Sequence, residues 1–332
     1  MRRLAIIGGG SWGTALAIVL APRFPEVRLW VYEADLAERM RASRENDVFL
    51  PGFSVPGNVQ ILSDLQPALE GAEVVLSVTP SQATRAVYTR MLPWLDPAML
   101  FASATKGLES ETLLRMSEVI REVVGPRFAP RVAVLSGPTF AREVAAGEPT
   151  LLVVSSQDHE LNQAIQAALS GPTFRVYRNE DPAGVELAAS LKNIFAIGAG
   201  ICQGLGLGSN TTAAVITRGL AEMTRLAVAA GGQPGTLAGL AGLGDLVLTC
   251  TGQLSRNRQV GFELGRGRTL ADITGSMQMV AEGIQTTYAA VDLARRHSIE
   301  LPITVEICAI LRGEREPRVA VRELMERSLK GE

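Results

Sequence analysis

Residues 4–7 are all apolar, and they run directly into Gly8-Gly9-Gly10-Ser11-Trp12-Gly13, followed by the helix-like run Thr14-Ala15-Leu16-Ala17. The spacing is G-x-G-x-x-G between a strand and a helix, and each glycine has its own reason. Gly8 permits a tight turn, Gly10 lets the backbone approach a pyrophosphate, and Gly13 lets the helix pack close to the strand. The helix N-terminus then offers N–H groups to the anion. The bland alternative is an ordinary glycine-rich turn. An acid, Glu33, closes the next β-type run about twenty residues on, which is the context a dinucleotide fingerprint requires.

The surrounding pattern fits a Rossmann-type domain. Short β-type runs at 4–7, 27–31, 59–62, 74–78, 99–103, 132–135, 151–155 and 175–177 alternate with helix-like runs at 13–20, 36–43, 81–92, 111–124 and 160–169. Most of the β-type runs are continuously apolar, as expected for parallel strands covered on both faces. The alternation predicts a doubly wound α/β sheet. After Asn179 the β-type runs nearly stop. Helix-like runs follow at 184–201, 211–229, 256–266, 285–297, 305–311 and 318–330. The expected organisation is a dinucleotide-binding domain over 1–180 and an all-α substrate domain over 181–332, with the break carried by Asp181-Pro182.

Composition narrows the function classes. Charged residues are 20% of the chain and the net charge is -2, which argues against a nucleic-acid partner. The three cysteines, Cys202, Cys250 and Cys308, show neither metal-type spacing nor a disulfide framework, so no metal site and a reducing, cytoplasmic compartment are expected. The most apolar stretch, 188–208, contains Lys192 and several glycines, so it is expected to be a buried core helix and not a membrane span.

A hydroxyl dehydrogenase needs a group to exchange the hydroxyl proton as hydride moves. The two histidines, His159 and His297, both sit in polar, surface-like contexts. Lys192, on an otherwise apolar run, is the better candidate: a neutral amine accepts a proton and a charged one holds a carbonyl oxygen. The alternative is a snorkelling lysine, or a buried ion pair with Glu186 or another acid. A second cluster, Gly242-Leu243-Gly244-Asp245-Leu246, then Thr249-Cys250-Thr251, then Ser255-Arg256-Asn257-Arg258, suits a phosphate through its guanidinium forks. Asp245 can accept from substrate hydroxyls or pair with Lys192. Here the plain alternative is a helix start capped by Ser255.

The ordered motifs Gly-Gly-Gly-Ser-Trp-Gly-Thr-Ala at 8–15, Phe-Leu-Pro-Gly at 49–52, Ala-Thr-Lys-Gly-Leu-Glu at 104–109, Leu-Ser-Gly-Pro-Thr-Phe-Ala at 135–141, Leu-Lys-Asn-Ile at 191–194, Gly-Leu-Gly-Asp-Leu at 242–246, Ser-Arg-Asn-Arg at 255–258 and Val-Ala-Glu-Gly at 280–283 resemble one family across nearly the whole chain. It is the bacterial-type NAD(P)-dependent glycerol-3-phosphate dehydrogenases. The resemblance implies that Ser11 and Trp12 lie on the dinucleotide, where the family often has tyrosine or phenylalanine in place of Trp12, and that Tyr32 falls on the adenosine side. Lys106 corresponds to a lysine touching cofactor and substrate. Gly137 and Thr139 correspond to substrate contacts and Ala141 to a cofactor contact. Lys192 corresponds to the proton-transferring lysine. Asp245, Ser255, Arg256 and Asn257 correspond to substrate-binding positions, with Arg256 also reaching the cofactor. Val280 and Glu282 correspond to late cofactor contacts.

The resemblance implies interconversion of sn-glycerol 3-phosphate and dihydroxyacetone phosphate, with supply of glycerol 3-phosphate for phospholipid synthesis. Whether the cofactor is NADP or NAD stays open: Glu33 suits the ribose 2′-hydroxyl of NAD, while Arg39 and Arg41 close by can offset its repulsion of a 2′-phosphate or simply lie in solvent. Spare apolar surface in the helical half suggests a homodimer. Two rivals remain, a related two-domain dehydrogenase acting on another hydroxy acid or sugar and a dinucleotide-binding sensor without turnover.

Overall fold

The computed structural model describes residues 1–277 and 281–328. The chain divides into two compact units, Met1–Glu109 with Leu114–Glu186, and Ser110–Leu113 with Leu187–Glu332.

The first unit is built on strands β1 (Arg3–Ile7), β2 (Glu26–Trp30), β3 (Glu45–Asn46), β4 (Leu50–Ser54), β5 (Val59–Leu62), β6 (Val74–Ser77), β7 (Leu100–Ser103), β8 (Arg131–Ser136), β9 (Thr150–Ser155) and β10 (Phe174–Asn179). Eight of these form one sheet in the order β10-β9-β8-β7-β6-β1-β2-β5. All eight β-type runs of the sequence are strands of this sheet. The run from β5 to β8 is parallel, but β9 pairs antiparallel with β8, so β9 and β10 run against the other six. The α/β sheet expected from the sequence is thus mostly parallel, with one reversed pair of strands at its edge.

Successive residues of one strand point to opposite faces, and both faces are buried. Leu4 and Ile6 join one core with Leu16, Leu20, Leu36 and Met40. Ala5 and Ile7 join the other with Tyr88, Met91, Phe101 and Ile120. That two-sided burial is why the strands are continuously apolar. The small sheet β3-β4 escaped the sequence reading because β3 has two residues and β4 carries Pro51-Gly52. The predicted helix over 111–124 begins only at Met116. Leu113 takes a left-handed φ of 64° and Leu108 bridges Arg115, so the chain turns before the helix starts. Glu118 then closes the start of that helix, its carboxylate accepting from Arg115 N at 2.9 Å and from the Arg115 guanidinium.

No strand follows β10 among the described residues. The chain after β10 is helical, and proline opens four of its helices, Pro182–Gly204, which begins in the first unit, Pro234–Leu237, Pro302–Leu311 and Pro317–Met325. A proline there loses no helical hydrogen bond and has its φ preset. Helices Ser209–Ala229, Asp245–Thr251, Arg256–Gly265, Leu270–Gly275 and Gly283–Arg296 complete the set, with a π-helical turn at Leu240–Gly244. The short ones between 234 and 251, and Leu270–Gly275, were not predicted; glycines interrupt their periodicity. The last helix ends at Met325, short of its expected limit, and residues 329–330 lie outside the described set.

Helix Pro182–Gly204 is long and apolar enough to cross a membrane, but its most apolar 18-residue stretch is wholly buried within the protein. It meets helix Arg256–Gly265 almost backbone to backbone. A Cβ on Gly261 would lie 1.9 Å from the Ile197 carbonyl oxygen, and one on Gly200 would lie 2.0 Å from that of Arg258. This close crossing fixes the Arg256 helix against the helix that carries Lys192.

Candidate active site

The carboxyl edge of the parallel strands holds one group of the candidate residues. Gly8 follows β1 between β2 and β6, where the strand order reverses and ligands of doubly wound sheets bind. Its φ is +128°, and a Cβ there would meet the Val78 carbonyl oxygen at 2.5 Å. A Cβ on Gly13 would lie 1.8 Å from the Gly8 carbonyl oxygen, so the helix Ser11–Leu20 packs as closely as the motif requires. Gly10 differs: an added Cβ meets nothing within 4 Å. It opens onto free space at the start of a helix that no side chain caps. A dinucleotide pyrophosphate fits there, since a bare backbone at an uncapped ten-residue helix N-terminus is what that anion needs.

Neighbouring side chains brace this loop. Buried Asn46 donates from Nδ2 to the Gly9 carbonyl (2.8 Å) and to Thr14 Oγ1 (2.8 Å). Ser11 Oγ donates to the Phe49 carbonyl at 2.6 Å. The Trp12 indole N–H is buried without an acceptor, a cost of about 1–3 kcal/mol. Tyr32 is 68% exposed and edge-on to Trp30. Sequence reasoning missed Asn46; only its place two residues before a local Val-Phe-Leu run hinted at it.

Lys106 follows β7 and donates to the Gly137 carbonyl (3.3 Å) and Thr139 Oγ1 (3.4 Å), just beyond the end of β8. The ends of two adjacent parallel strands thus hold an ammonium at the same edge as the glycine loop. Ala141 opens the short helix Ala141–Ala145. Glu186 is buried in this unit, but it is not the partner of Lys192. It accepts from Ser117 N (2.8 Å), Ser117 Oγ (2.6 Å) and Arg115 Nη1 (2.9 Å). Burial pushes its carboxyl above the ordinary range, against the pull of Arg115.

The helical unit holds the second group. Lys192 is 5% exposed, so it does not snorkel. Its Nζ lies 2.7 Å from Asp245 Oδ1 and 2.7 Å from Thr249 Oγ1. Asp245 and Thr249 are four apart on helix Asp245–Thr251, which puts both on one face. The Thr249 hydroxyl donates to the Asp245 carbonyl at 2.6 Å, leaving its oxygen to accept from the lysine. The sequence reading placed Thr249 in this cluster without assigning it a role; its i,i+4 spacing from Asp245 was the available signal. Burial pushes the neighbouring Cys250 thiol up to about 12, so it stays protonated and inert. This cluster can hold and exchange a proton at Nζ.

Ser255 does cap its helix, accepting from Arg258 N at 3.2 Å, as the plain alternative held. Arg258 donates to the Gly252 carbonyl and to Gln203, so it braces the turn. Arg256 has no such duty. It reaches solvent at the first turn of the helix, with protein packed around it; that low polarity lowers its pKa, and the Glu282 carboxylate raises it again. Asn257 Oδ1 accepts from Gly283 N at 3.0 Å, which fixes its amide. Val280 lies outside the described residues. His159 is exposed and His297 half-buried at a helix end. Among the described residues no cluster of three or more His, Cys, Asp or Glu side chains fits a metal ion.

Known proteins match this chain from end to end. The family profile described as NAD-dependent glycerol-3-phosphate dehydrogenase N-terminus covers residues 3–162, and that of the C-terminus covers 181–322. The glycerol-3-phosphate dehydrogenase (NAD(P)+) of Koribacter versatilis is 57% identical over 98% of this chain and 98% of its own length. That of Geobacter sulfurreducens is 50% identical over 99% and 98%. The crystal structure of glycerol-3-phosphate dehydrogenase from Coxiella burnetii superposes with a TM-score of 0.93 at 44% identity, covering 98% of this chain and 99% of that one. With a strand–glycine–helix loop in one unit and a buried lysine–aspartate–threonine cluster in the other, the chain belongs to the NAD-dependent glycerol-3-phosphate dehydrogenase family.

Proposed function

We infer that this chain is an NAD(P)-dependent oxidoreductase that interconverts sn-glycerol 3-phosphate and dihydroxyacetone phosphate, and so supplies glycerol 3-phosphate for phospholipid synthesis. The observation that carries the reading is Lys192, buried with its Nζ 2.7 Å from both Asp245 and Thr249, in a chain aligned over nearly its full length with relatives named for this reaction. Residues 1–180 serve as the dinucleotide-binding domain and 181–332 as the substrate domain.

A nicotinamide cofactor held by the glycine loop would supply the hydride for reduction at C2 and accept it in the reverse direction. Lys192 gives a proton from Nζ to the C2 oxygen during reduction and recovers it during oxidation. Asp245 stabilises the ammonium form and fixes its direction, and Thr249 accepts a second hydrogen bond from it. Lys106, set by Gly137 and Thr139, orients substrate and offsets charge on its oxygen. Arg256 takes the substrate phosphate at the N-terminus of its helix, where backbone N–H groups assist. Ser255 and Asn257 shape that turn through the bonds they make to Arg258 and Gly283. On the dinucleotide, Gly8, Gly10, Ser11, Trp12 and Gly13 form the pyrophosphate loop, with Tyr32, Ala141, Val280, Arg256 and Glu282 as further contacts.

We place the protein in the cytoplasm, with its three buried, unbridged cysteines in support. Exposed Val228, Leu243, Val247 and Leu254 of the helical unit support pairing with a second copy, which light scattering tests. The activity is tested by a panel of dihydroxyacetone phosphate, a β-keto acid and 6-phosphogluconate with either cofactor. Turnover with the first alone is expected, and an Arg256→Ala enzyme should show a raised KM for it. An unchanged KM would refute the phosphate role, and preference for another substrate would refute the assignment.

A further inference from the structure

Glu33 stands one strand away from the glycine loop at the same edge of the sheet. β1 and β2 are parallel neighbours, and Gly8 N donates to the Trp30 carbonyl at 3.1 Å. The Val31 side chain lies so close to Gly9 that an added Cβ would sit 2.6 Å from it. Tyr32 and Glu33 follow immediately, both exposed. Glu33 is the N-cap residue of helix Ala34–Ser43, yet its side chain caps nothing, and it makes no ion pair among the described residues.

The arginines that could reverse the charge of this corner are already committed. Arg39 gives Nη1 to Asp35 at 3.1 Å, while its Nε and Nη2 face the two carboxylate oxygens of Asp47 at 3.1 and 3.4 Å. Both sides of its guanidinium are thereby occupied. Arg41 donates to the Ile61 carbonyl at 3.3 Å, on the β5 side. Arg44 donates to the carbonyls of Val55, Pro56 and Val59. Residues 33–47 hold five acids, Glu33, Asp35, Glu38, Glu45 and Asp47, against three arginines, so the corner is negative.

We propose that Glu33 selects NAD(H) over NADP(H), by accepting a hydrogen bond from the adenosine ribose 2′-hydroxyl, and that Asp35 and Asp47 enforce the choice by holding Arg39 away from a 2′-phosphate. This rests on the dinucleotide reading of the glycine loop given above. A free carboxylate at the end of β2 bonds a hydroxyl and repels a phosphate. A released Arg39 would do the reverse, because a guanidinium fork suits a phosphate.

The test is equilibrium binding to the full chain without substrate, following nicotinamide fluorescence on titration with NADH and, separately, NADPH. NADH is expected to bind about tenfold more tightly or better, the scale of a carboxylate–phosphate repulsion near a protein surface. Glu33→Ser should narrow that gap to about threefold without changing Tm, since the side chain is exposed and unpartnered. The double variant Asp35→Asn with Asp47→Asn should tighten NADPH alone, by about threefold or more. NADPH binding as tightly as NADH to the unaltered protein overturns the selection while leaving the dinucleotide reading standing. An unchanged ratio in Glu33→Ser overturns the role of Glu33. Binding of neither dinucleotide to folded protein overturns both readings.

Discussion

The glycine loop and the Lys192 cluster solve opposite problems with opposite materials. The loop works by removing side chains: Gly8, Gly10 and Gly13 lie within six consecutive residues, and what they present is backbone. The lysine cluster works by burying side chains, and its members come from positions 53 and 57 residues apart. The loop is held by packing and by hydrogen bonds to its carbonyls. The cluster is held by charge, where removing one partner strands the other in a poorly solvated place. The two regions should therefore respond to substitution in different ways.

The largest expected effect is on chemistry. Lys192→Ala should lower turnover about a hundred- to ten-thousandfold, the range for loss of a proton-transfer group, while dinucleotide affinity measured by fluorescence stays within experimental scatter. Next, Asp245→Ala leaves the lysine ammonium without its counter-charge and should cost about 3–5 kcal/mol in denaturant unfolding. An unaltered midpoint would mean that charge does not hold the cluster together.

The loop then offers a matched pair. Gly13→Ala drives a methyl into the Gly8 carbonyl and should cost about 3 kcal/mol of stability. Gly10→Ala meets only open space, so Tm should hardly move while dinucleotide binding weakens by about tenfold, a distinction that fails if Gly10 serves packing.

The smallest effect concerns pH. Glu222 is buried in the helical unit, accepting from Ile303 N, Thr304 N and Thr304 Oγ1. Burial raises its pKa above the ordinary carboxylate value, against the pull of those donors. The native state therefore keeps this proton to higher pH than the unfolded chain does. Its contribution to stability is full below the unfolded pKa and is lost as pH rises through the native one. Unfolding curves across that window should show a shallower decline for Glu222→Gln than for the unaltered protein. Parallel curves would remove Glu222 from the account.

Much of the first unit was legible because its signals are local. A continuous apolar strand, a glycine spacing and an acid at the end of the next strand can be read within thirty-odd residues. The reversed direction of β9 and β10 was not, since an apolar strand looks the same in either direction. In the helical unit, Lys192 announced itself as a charge on an apolar run, but its partner did not. Glu186 and Asp245 were both acids of suitable type, and only the fold shows Glu186 turned to Arg115 and Ser117. Ser255 shows the same limit in another form. The pattern that suggests a phosphate contact also describes a helix cap, and the hydroxyl is engaged as a cap.

The most direct test follows oxidation of NADH and NADPH by the purified protein with dihydroxyacetone phosphate, beside Lys192→Ala under the same conditions. The account predicts turnover by the unaltered protein that depends on dihydroxyacetone phosphate, and its near-complete loss in a variant that still binds dinucleotide. Normal turnover by Lys192→Ala, or none by folded, dinucleotide-binding unaltered protein, would contradict it.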